Sequence, residues 1–277
     1  MSLTAAFALV LTLQGDAGVL PANPVSPLLV ASGGTAVATV HLGSLLLNPA
    51  NATGVKGIEL AVVSYPRTNL EGFSVTAAGG RRLRVITGLW SYSLKDIFDP
   101  ELVAQDPSLN ELGLSMAAGS LGTAFRVGHL SAGAQFVART QNIVGTHTAA
   151  SSVSAGGRLD LKALELAASV FDAPITNSGS AAAPQAGSAV GVAATTHVAA
   201  FDARVEVNAR HLHATGWDFG VSPHIKWGPI EVRCGYDAHG WSGGASLRHG
   251  RILIQAATNI VRRDRLDQRV ALSVTIQ

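Results

Sequence analysis

Apolar and polar residues alternate with period two over successive stretches of the chain, and this constrains the fold more than any other feature. In residues 201–210, Asp202, Arg204, Glu206, Asn208 and Arg210 alternate with Ala203, Val205, Val207 and Ala209. Residues 229–237 set Ile230, Val232, Cys234 and Tyr236 against Glu231, Arg233 and Asp237. Ile252, Ile254, Ala256, Thr258 and Ile260 form the next row, and Val270, Leu272, Val274 and Ile276 the last. A strand sends successive side chains to opposite faces, so this period marks strands with one apolar face. Helical spacing is not sustained anywhere.

Turn residues cut this material at regular intervals: Gly79-Gly80, Gly128-His129, Gly145, Gly228-Pro229 and Gly240. They bound fourteen predicted strands at 57–65, 70–78, 82–92, 111–126, 130–142, 147–160, 163–172, 187–197, 201–212, 215–227, 229–237, 241–249, 251–261 and 266–276. Two longer connections interrupt the series, 94–110 and 172–185. Residues 56–277 thus divide into strand-plus-turn units of about 16 residues, the length of a membrane-crossing strand with its turn.

Alternation alone serves a soluble sandwich as well as a membrane barrel, since both hide one face. Three features favour the barrel. So long an up-and-down series must close on itself to remove its edges. The less apolar faces are rich in Gly, Ala, Ser and Thr, which suits a crowded lumen. Lysine occurs only at 56, 95, 162 and 226, although exposed soluble sheets use it freely. Hydrophobic residues reach 47% while charged ones stay at 14%, yet no apolar run approaches the length of a spanning helix. Aromatic residues are few, so the girdles expected at the membrane surfaces would draw on Trp90, Tyr92, Trp217, Phe219, Trp227, Tyr236 and Trp241. In such a wall Val205 and Val207 meet lipid, and Asn208 faces a lumen that accepts Asn208→Arg readily.

The N-terminal residues 1–17 read as a signal peptide, with an apolar stretch over 5–13 and small residues at Gly15 and Ala17 but no basic residue ahead of them. A buried first strand or helix is the other reading. Residues 18–55 form a plug or linker segment before the barrel of 56–277. Within it Asn48-Pro49-Ala50 is read as the turn that sends the chain from plug to wall. Proline fixes its own φ, lacks a donor and holds its predecessor extended.

Gly33-Gly34, the small-residue stretch 36–47 and Asn48-Pro49-Ala50, followed by hairpins in series, resemble the FadL-like outer-membrane proteins. The nearer resemblance is to their PorV/PorQ branch, associated with type IX secretion. The paired strands in 121–139 and the hairpins in 228–259 resemble the family's in order, and the likeness covers most of residues 30–277. The chain departs from it at Asn51, where the family usually has glycine. The resemblance implies an all-β, antiparallel, up-and-down barrel of about fourteen strands in the bacterial outer membrane, with its N-terminal segment partly plugging the lumen. It implies a role in protein secretion, with secretion-system components and exported cargo as partners. Passage of hydrophobic small molecules through the lumen or a lateral opening is the alternative, and a structural or surface-assembled β-protein the second.

Motifs for chemistry are weak, and neither enzymatic activity nor a cofactor is expected. His211 and His213 share a strand face and could start a metal site with His224 or His239, but loop or interfacial histidines explain them as well. Asp96, Asp99, Glu101 and Asp106 lie in the long 94–110 connection without calcium-loop spacing. Cys234, alone in the chain, reads as a packed thiol. A net charge of +2 gives no reason to expect nucleic acid as a partner. Ile97, Phe98 and Leu102 stand out as apolar anchors in an acidic loop, a composition suited to docking a protein partner at the mouth of a monomeric barrel.

Overall fold

A computed structural model describes residues 26–32, 36–66, 70–94, 114–143, 146–177, 186–198, 200–213, 216–237, 240–261 and 269–277. Fourteen antiparallel strands form a closed ring in which each pairs with its sequence neighbours. They are β1 (Gly57–Tyr65), β2 (Leu70–Gly79), β3 (Leu83–Leu94), β4 (Leu114–Val127), β5 (Leu130–Ile143), β6 (Thr146–Leu161) and β7 (Leu164–Asn177). The second half comprises β8 (Gly187–Val198), β9 (Phe201–Leu212), β10 (Gly216–Trp227), β11 (Ile230–Asp237), β12 (Gly240–His249), β13 (Ile252–Val261) and β14 (Arg269–Ile276). The ring closes where β1 meets β14, from Ile58 opposite Ile276 to Ser64 opposite Val270. Closure leaves no sheet edge, the condition for strands to cross hydrocarbon.

The rims differ. Tight turns join β2–β3, β4–β5, β6–β7, β8–β9, β10–β11 and β12–β13 on one side, where β1 also begins and β14 ends. The opposite rim carries the longer connections, including those after β3 and β7. In outer-membrane barrels the tight turns face the periplasm and the long loops the exterior.

Side-chain direction follows the alternation. On β1, Ile58, Leu60 and Val62 point outward and are about half exposed, while Glu59, Ala61 and Val63 point inward and are buried. Outward aromatics mark two levels. Trp217 stacks on Phe219 near the loop rim, with Tyr236 against Trp241 beside them, and Phe201 lies against Trp227 at the turn rim. Trp217 and Trp227 are ten residues apart on β10. At ~3.4 Å per residue and ~40° of tilt they stand ~26 Å apart along the membrane normal, the height of an apolar band. Among the described residues no helix is long and apolar enough to cross a membrane. The chain is a transmembrane barrel of the kind found in bacterial outer membranes.

Four sequence-based expectations are corrected. Trp90 and Tyr92 belong to no girdle, because both face the lumen and are buried. β3 inverts the usual pattern near the loop rim, with Ser91 outward between two inward aromatics. Cys234 shares its row with Ile230 and Val232 as expected, but the row faces outward and the thiol is exposed rather than packed in protein. β7 runs on to Asn177, through Pro174 and past the predicted end at 172 into the expected 172–185 connection. Two register shifts against β6 absorb the extra residues there, and Asp172 adopts φ 56°; bulges are where a strand tolerates proline. Finally, Asn208 does not face open water. It is 1% exposed, and its Oδ1 accepts a hydrogen bond from the Val37 N–H at 3.2 Å.

Adjacent positions on β9 therefore test the two faces. Val207→Arg sets a charge in lipid near mid-strand and is expected to cost about 2–4 kcal/mol. Asn208→Arg is also expected to destabilise, by overfilling a packed interior. A cysteine at 207 should react with a lipid-phase reagent and not with a water-soluble one; labelling from water alone would contradict the outward assignment.

Candidate functional site: the plugged lumen

Inward side chains suffice to fill a ring of about eight strands, but a fourteen-stranded ring leaves space over. Residues 26–32 and 36–55 occupy it. A short helix, α1 (Pro27–Ala31), begins with proline at a position that needs no donor and is buried on every side. The Ser32 hydroxyl closes it by donating to the Leu28 carbonyl at 2.8 Å. The wall holds its C-terminal end: Ser242 donates to the Ala31 carbonyl at 2.9 Å and Arg233 to the Ser32 hydroxyl at 3.3 Å. A side chain at Gly235 would lie 2.5 Å from that same carbonyl, so the residue must be glycine for the helix end to dock.

Residues 36–39 have no strand to pair with, and side chains of β9 supply their hydrogen bonds. Besides Asn208, Glu206 accepts from the Ala38 N–H at 2.9 Å and from the Thr39 hydroxyl, while Arg204 donates to the Ala38 carbonyl at 3.1 Å. Arg204 also grips Glu165, which Arg158 holds from the other side at 2.7 Å. Glu231 lies between Arg233 at 2.6 Å and His224 at 3.2 Å. This belt of matched charges fills the turn-rim half of the lumen. Burying these ions is tolerable because each has a partner.

Asn48 sits at the centre of the plug. Its backbone is extended, as the residue before a proline requires. Its Oδ1 accepts from the Ala50 N–H at 3.1 Å and so caps the 3-10 helix Pro49–Gly54. Its Nδ2 lies 3.3 Å from both the Val37 and Gly157 carbonyls. Asn51, where the resembled family has glycine, sets its Nδ2 3.0 Å from the Val37 carbonyl and 2.9 Å from that of Thr39. The wall is hollowed to receive this turn. A Cβ at Gly156 would fall 2.2 Å from Asn48 Oδ1, and one at Gly133 2.6 Å from the Pro49 backbone. Val55 and Lys56 then lead into β1 at Gly57, whose φ of 136° only glycine adopts freely.

His41 links plug and wall. Its Nδ1 accepts from the Gly43 N–H at 3.1 Å, capping a second 3-10 helix, Leu42–Ser44. Glu59 Oε2 lies 3.5 Å from the same nitrogen, and Ser26 donates to Glu59 Oε1 at 2.9 Å. Burial lowers the His41 pKa, outweighing the opposite pull of Glu59, and the Arg233 cation lowers it further.

The loop-rim half on the β1–β4 side has a different character. Tyr65, Leu70, Trp90, Tyr92 and Met116 converge there over Val30 and Leu46 of the plug. The Arg269 guanidinium lies 5.5 Å from the Tyr65 ring. Behind this cluster, on the lipid side of β3–β7, runs a groove of about 610 Å³ lined chiefly by small residues, including Ala117, Gly119, Ala138, Thr140 and Ala149. Ala118 belongs to both the lumenal cluster and the groove lining, so one layer of small residues separates them.

The other sequence candidates do not converge. The His211 and His213 rings are 5.7 Å apart, but His211 faces outward beside Trp217 while His224 is lumenal at the opposite rim. Among the described residues no three His, Cys, Asp or Glu could together hold a metal ion. Ile97, Phe98, Leu102, the acidic residues of the 94–110 connection, His239 and residues 1–17 lie outside the described residues. From sequence Trp90 and Tyr92 read as girdle residues, and Tyr65, Leu70, Met116 and the β9 latch carry no motif; the serine–aromatic inversion in β3 is the available signal for the inward aromatics.

No family model matches the chain, and no curated relative does. Solved structures share its fold. The TodX monoaromatic hydrocarbon channel, as its deltaS2 mutant, aligns with TM-score 0.61 at 11% identity over 92% of this chain and 97% of that one. The Ralstonia pickettii toluene transporter TbuX gives 0.55 at 12%, over 93% and 98%. The CymD monoaromatic hydrocarbon channel gives 0.55 at 13%, over 91% and 96%. Together these observations define a plugged outer-membrane barrel whose fold is that of FadL-like channels.

Two predictions follow from the plug. Gly156→Leu is expected to eject the Asn48 turn, raising single-channel conductance and protease cleavage within 36–56 while the barrel keeps its heat-modifiable gel mobility. Gly157→Leu is the control, since a Cβ there meets nothing closer than 3.8 Å. The second concerns pH. A docked His41 with a lowered pKa binds fewer protons than the released residue, so docking is fully favoured above the free value of about 6.5 and weakens as pH falls through it. Hydrogen exchange at residues 41–45 should accelerate over that window, and His41→Gln should remove the dependence.

Proposed function

We propose that this barrel passes small hydrophobic molecules across the outer membrane, taking them up from the loop rim. The observation that carries the reading is the inward cluster of Tyr65, Leu70, Trp90, Tyr92 and Met116 above the plug. A channel for hydrophilic solutes gains nothing from large apolar side chains turned away from lipid, whereas an apolar solute leaving water gains about 25 cal/mol for each Å² buried against them. The plug supports the reading too, because it fills the aqueous path that a diffusive pore needs. The outer groove behind β3–β7 leaves a thin stretch of wall at Ala118, next to the cluster, suited to lateral release into the membrane. Channels and transporters of monoaromatic hydrocarbons have the same fold. Their sequences are too distant for that likeness to carry more than architecture, so the substrate class rests on the lumenal residues.

The secretion-associated role, placed first by the resemblance to the PorV/PorQ branch, has weaker support. It rests on that resemblance and on Ile97, Phe98 and Leu102 as a partner-docking loop. A lumen closed by the β9 latch and the Asn48 turn offers exported protein no path through the barrel, so such a role would be played on its outer surface.

The test is flux into proteoliposomes of the full chain. Uptake of a monoaromatic hydrocarbon should exceed that of empty vesicles, while sugar permeation should not. Trp90→Ala is expected to lower hydrocarbon uptake about tenfold, as the loss of ~1.4 kcal/mol of aromatic and apolar contact implies, with heat-modifiable gel mobility reporting that the barrel is folded. Wild-type barrels that pass sugars but not hydrocarbon would overturn the reading.

A further inference from the structure

Among the described residues the turn rim is basic in a way that the net value of +2 conceals. Exposed cations crowd the turn rim: Lys56 ahead of β1, Arg81 and Arg82 between β2 and β3, Lys162 between β6 and β7, Lys226 at the end of β10, and Arg248 and Arg251 around the β12–β13 turn. None has a carboxylate partner among the described residues. The acids of this rim, Asp160, Asp202 and Glu231, are half-buried and already engaged by Arg126, Arg158, His197, His224 and Arg233. Each junction on the rim except β8–β9 carries an exposed cation; at β4–β5 it is Arg126, which is paired with Asp160.

Distribution decides what such a surface fits. Successive junctions are two strands apart, ~10 Å at ~4.8 Å per strand, which matches the Debye length of about 10 Å at 0.1 M salt. Neighbouring fields therefore merge into a ring rather than a patch. A protein partner touches one sector of a barrel mouth and would concentrate complementary charge there. A ring at the depth of Trp227 and Phe201, whose outward rings mark the membrane surface on this side, meets the one partner that surrounds the barrel. Long basic side chains at that level extend their charged ends to headgroups.

We propose that the turn rim is a binding annulus for anionic phospholipid headgroups of the periplasmic leaflet. It selects the lipid shell around the barrel and fixes the depth of the turn rim in the membrane. Each basic residue at an anionic surface contributes roughly a fivefold preference, so a few engaged at once give a marked selection.

The experiment is lipid retention by the full chain, reconstituted in equimolar phosphatidylglycerol and phosphatidylcholine, extracted with mild detergent and quantified for bound lipid. Phosphatidylglycerol is expected to be enriched about fivefold or more over the bulk ratio. The enrichment should fall to the bulk ratio in 1 M salt, where screening shortens to about 3 Å. It should fall likewise in the combined variant Arg81→Gln, Arg82→Gln, Lys162→Gln, Arg251→Gln. Heat-modifiable mobility reports whether that variant folds, and the salt series on the wild type decides the matter if it does not. Retention at the bulk ratio overturns the proposal, as does enrichment that survives both salt and charge removal. Salt-sensitive binding of soluble polyglutamate without lipid enrichment would assign the ring to an acidic polypeptide and overturn it too.

Discussion

Every peptide group that lies in hydrocarbon must find its hydrogen-bond partner within the protein, and the rest of this structure depends on that requirement. It forces the strands to close, and β1 meeting β14 completes the ladder. Closure at fourteen strands creates a second problem, since the ring encloses more volume than inward side chains occupy. Residues 26–32 and 36–55 solve it, but they bring unpaired backbone groups of their own. Asn208, Glu206 and Arg204 on β9, with Asn48 and Asn51 in the plug itself, supply those partners. The polar row of β9 is thus a replacement for the strand that residues 36–39 lack.

The lumen is consequently built in two chemistries. Toward the turn rim, buried ions neutralise one another around the plug; this arrangement specifies a docked geometry more than it adds stability, because desolvation offsets much of the pairing. Toward the loop rim, Tyr65, Trp90, Tyr92 and Met116 present apolar surface on the β1–β4 side, while the buried pairs Arg139–Asp172 and Arg210–Asp218 keep the β5–β10 side polar. Under the function proposed above, a hydrophobic solute entering on the β1–β4 side would meet the apolar cluster first and the latched half second, which favours a sideways exit over passage straight through.

Outside, the same economy applies. Where a soluble sheet scatters lysine over an exposed face, the described strands leave the band between the rims to Ile, Leu and Val, and the exposed cations among the described residues stand at the turns of one rim. The charges that look scattered along the chain, Arg82 and Arg251 among them, become neighbours of a common surface because up-and-down topology returns each second connection to the same rim.

Local pattern along the chain is enough to place the strands and tell their two faces apart. Period two in 201–210 and 252–260, with glycine at the turns, is a local property, and most strand ends predicted from it lie within a few residues of those observed. It missed the end of β7 because bulges at Phe171–Asp172 and Ile175 are settled by pairing with β6. It misjudged Trp90, Tyr92 and Asn208 for a related reason: alternation states that two faces differ, and not what each face meets. The Asn48-Pro49 pair announced an extended residue followed by a fixed one; that Gly133 and Gly156, roughly a hundred residues away, are the sockets for that turn was decided only when ring closure brought the three together. Contacts across a lumen join residues with no local relation, so tertiary structure alone could turn scattered glycines, a row of polar residues on β9 and a few inward aromatics into a latched and apolar interior.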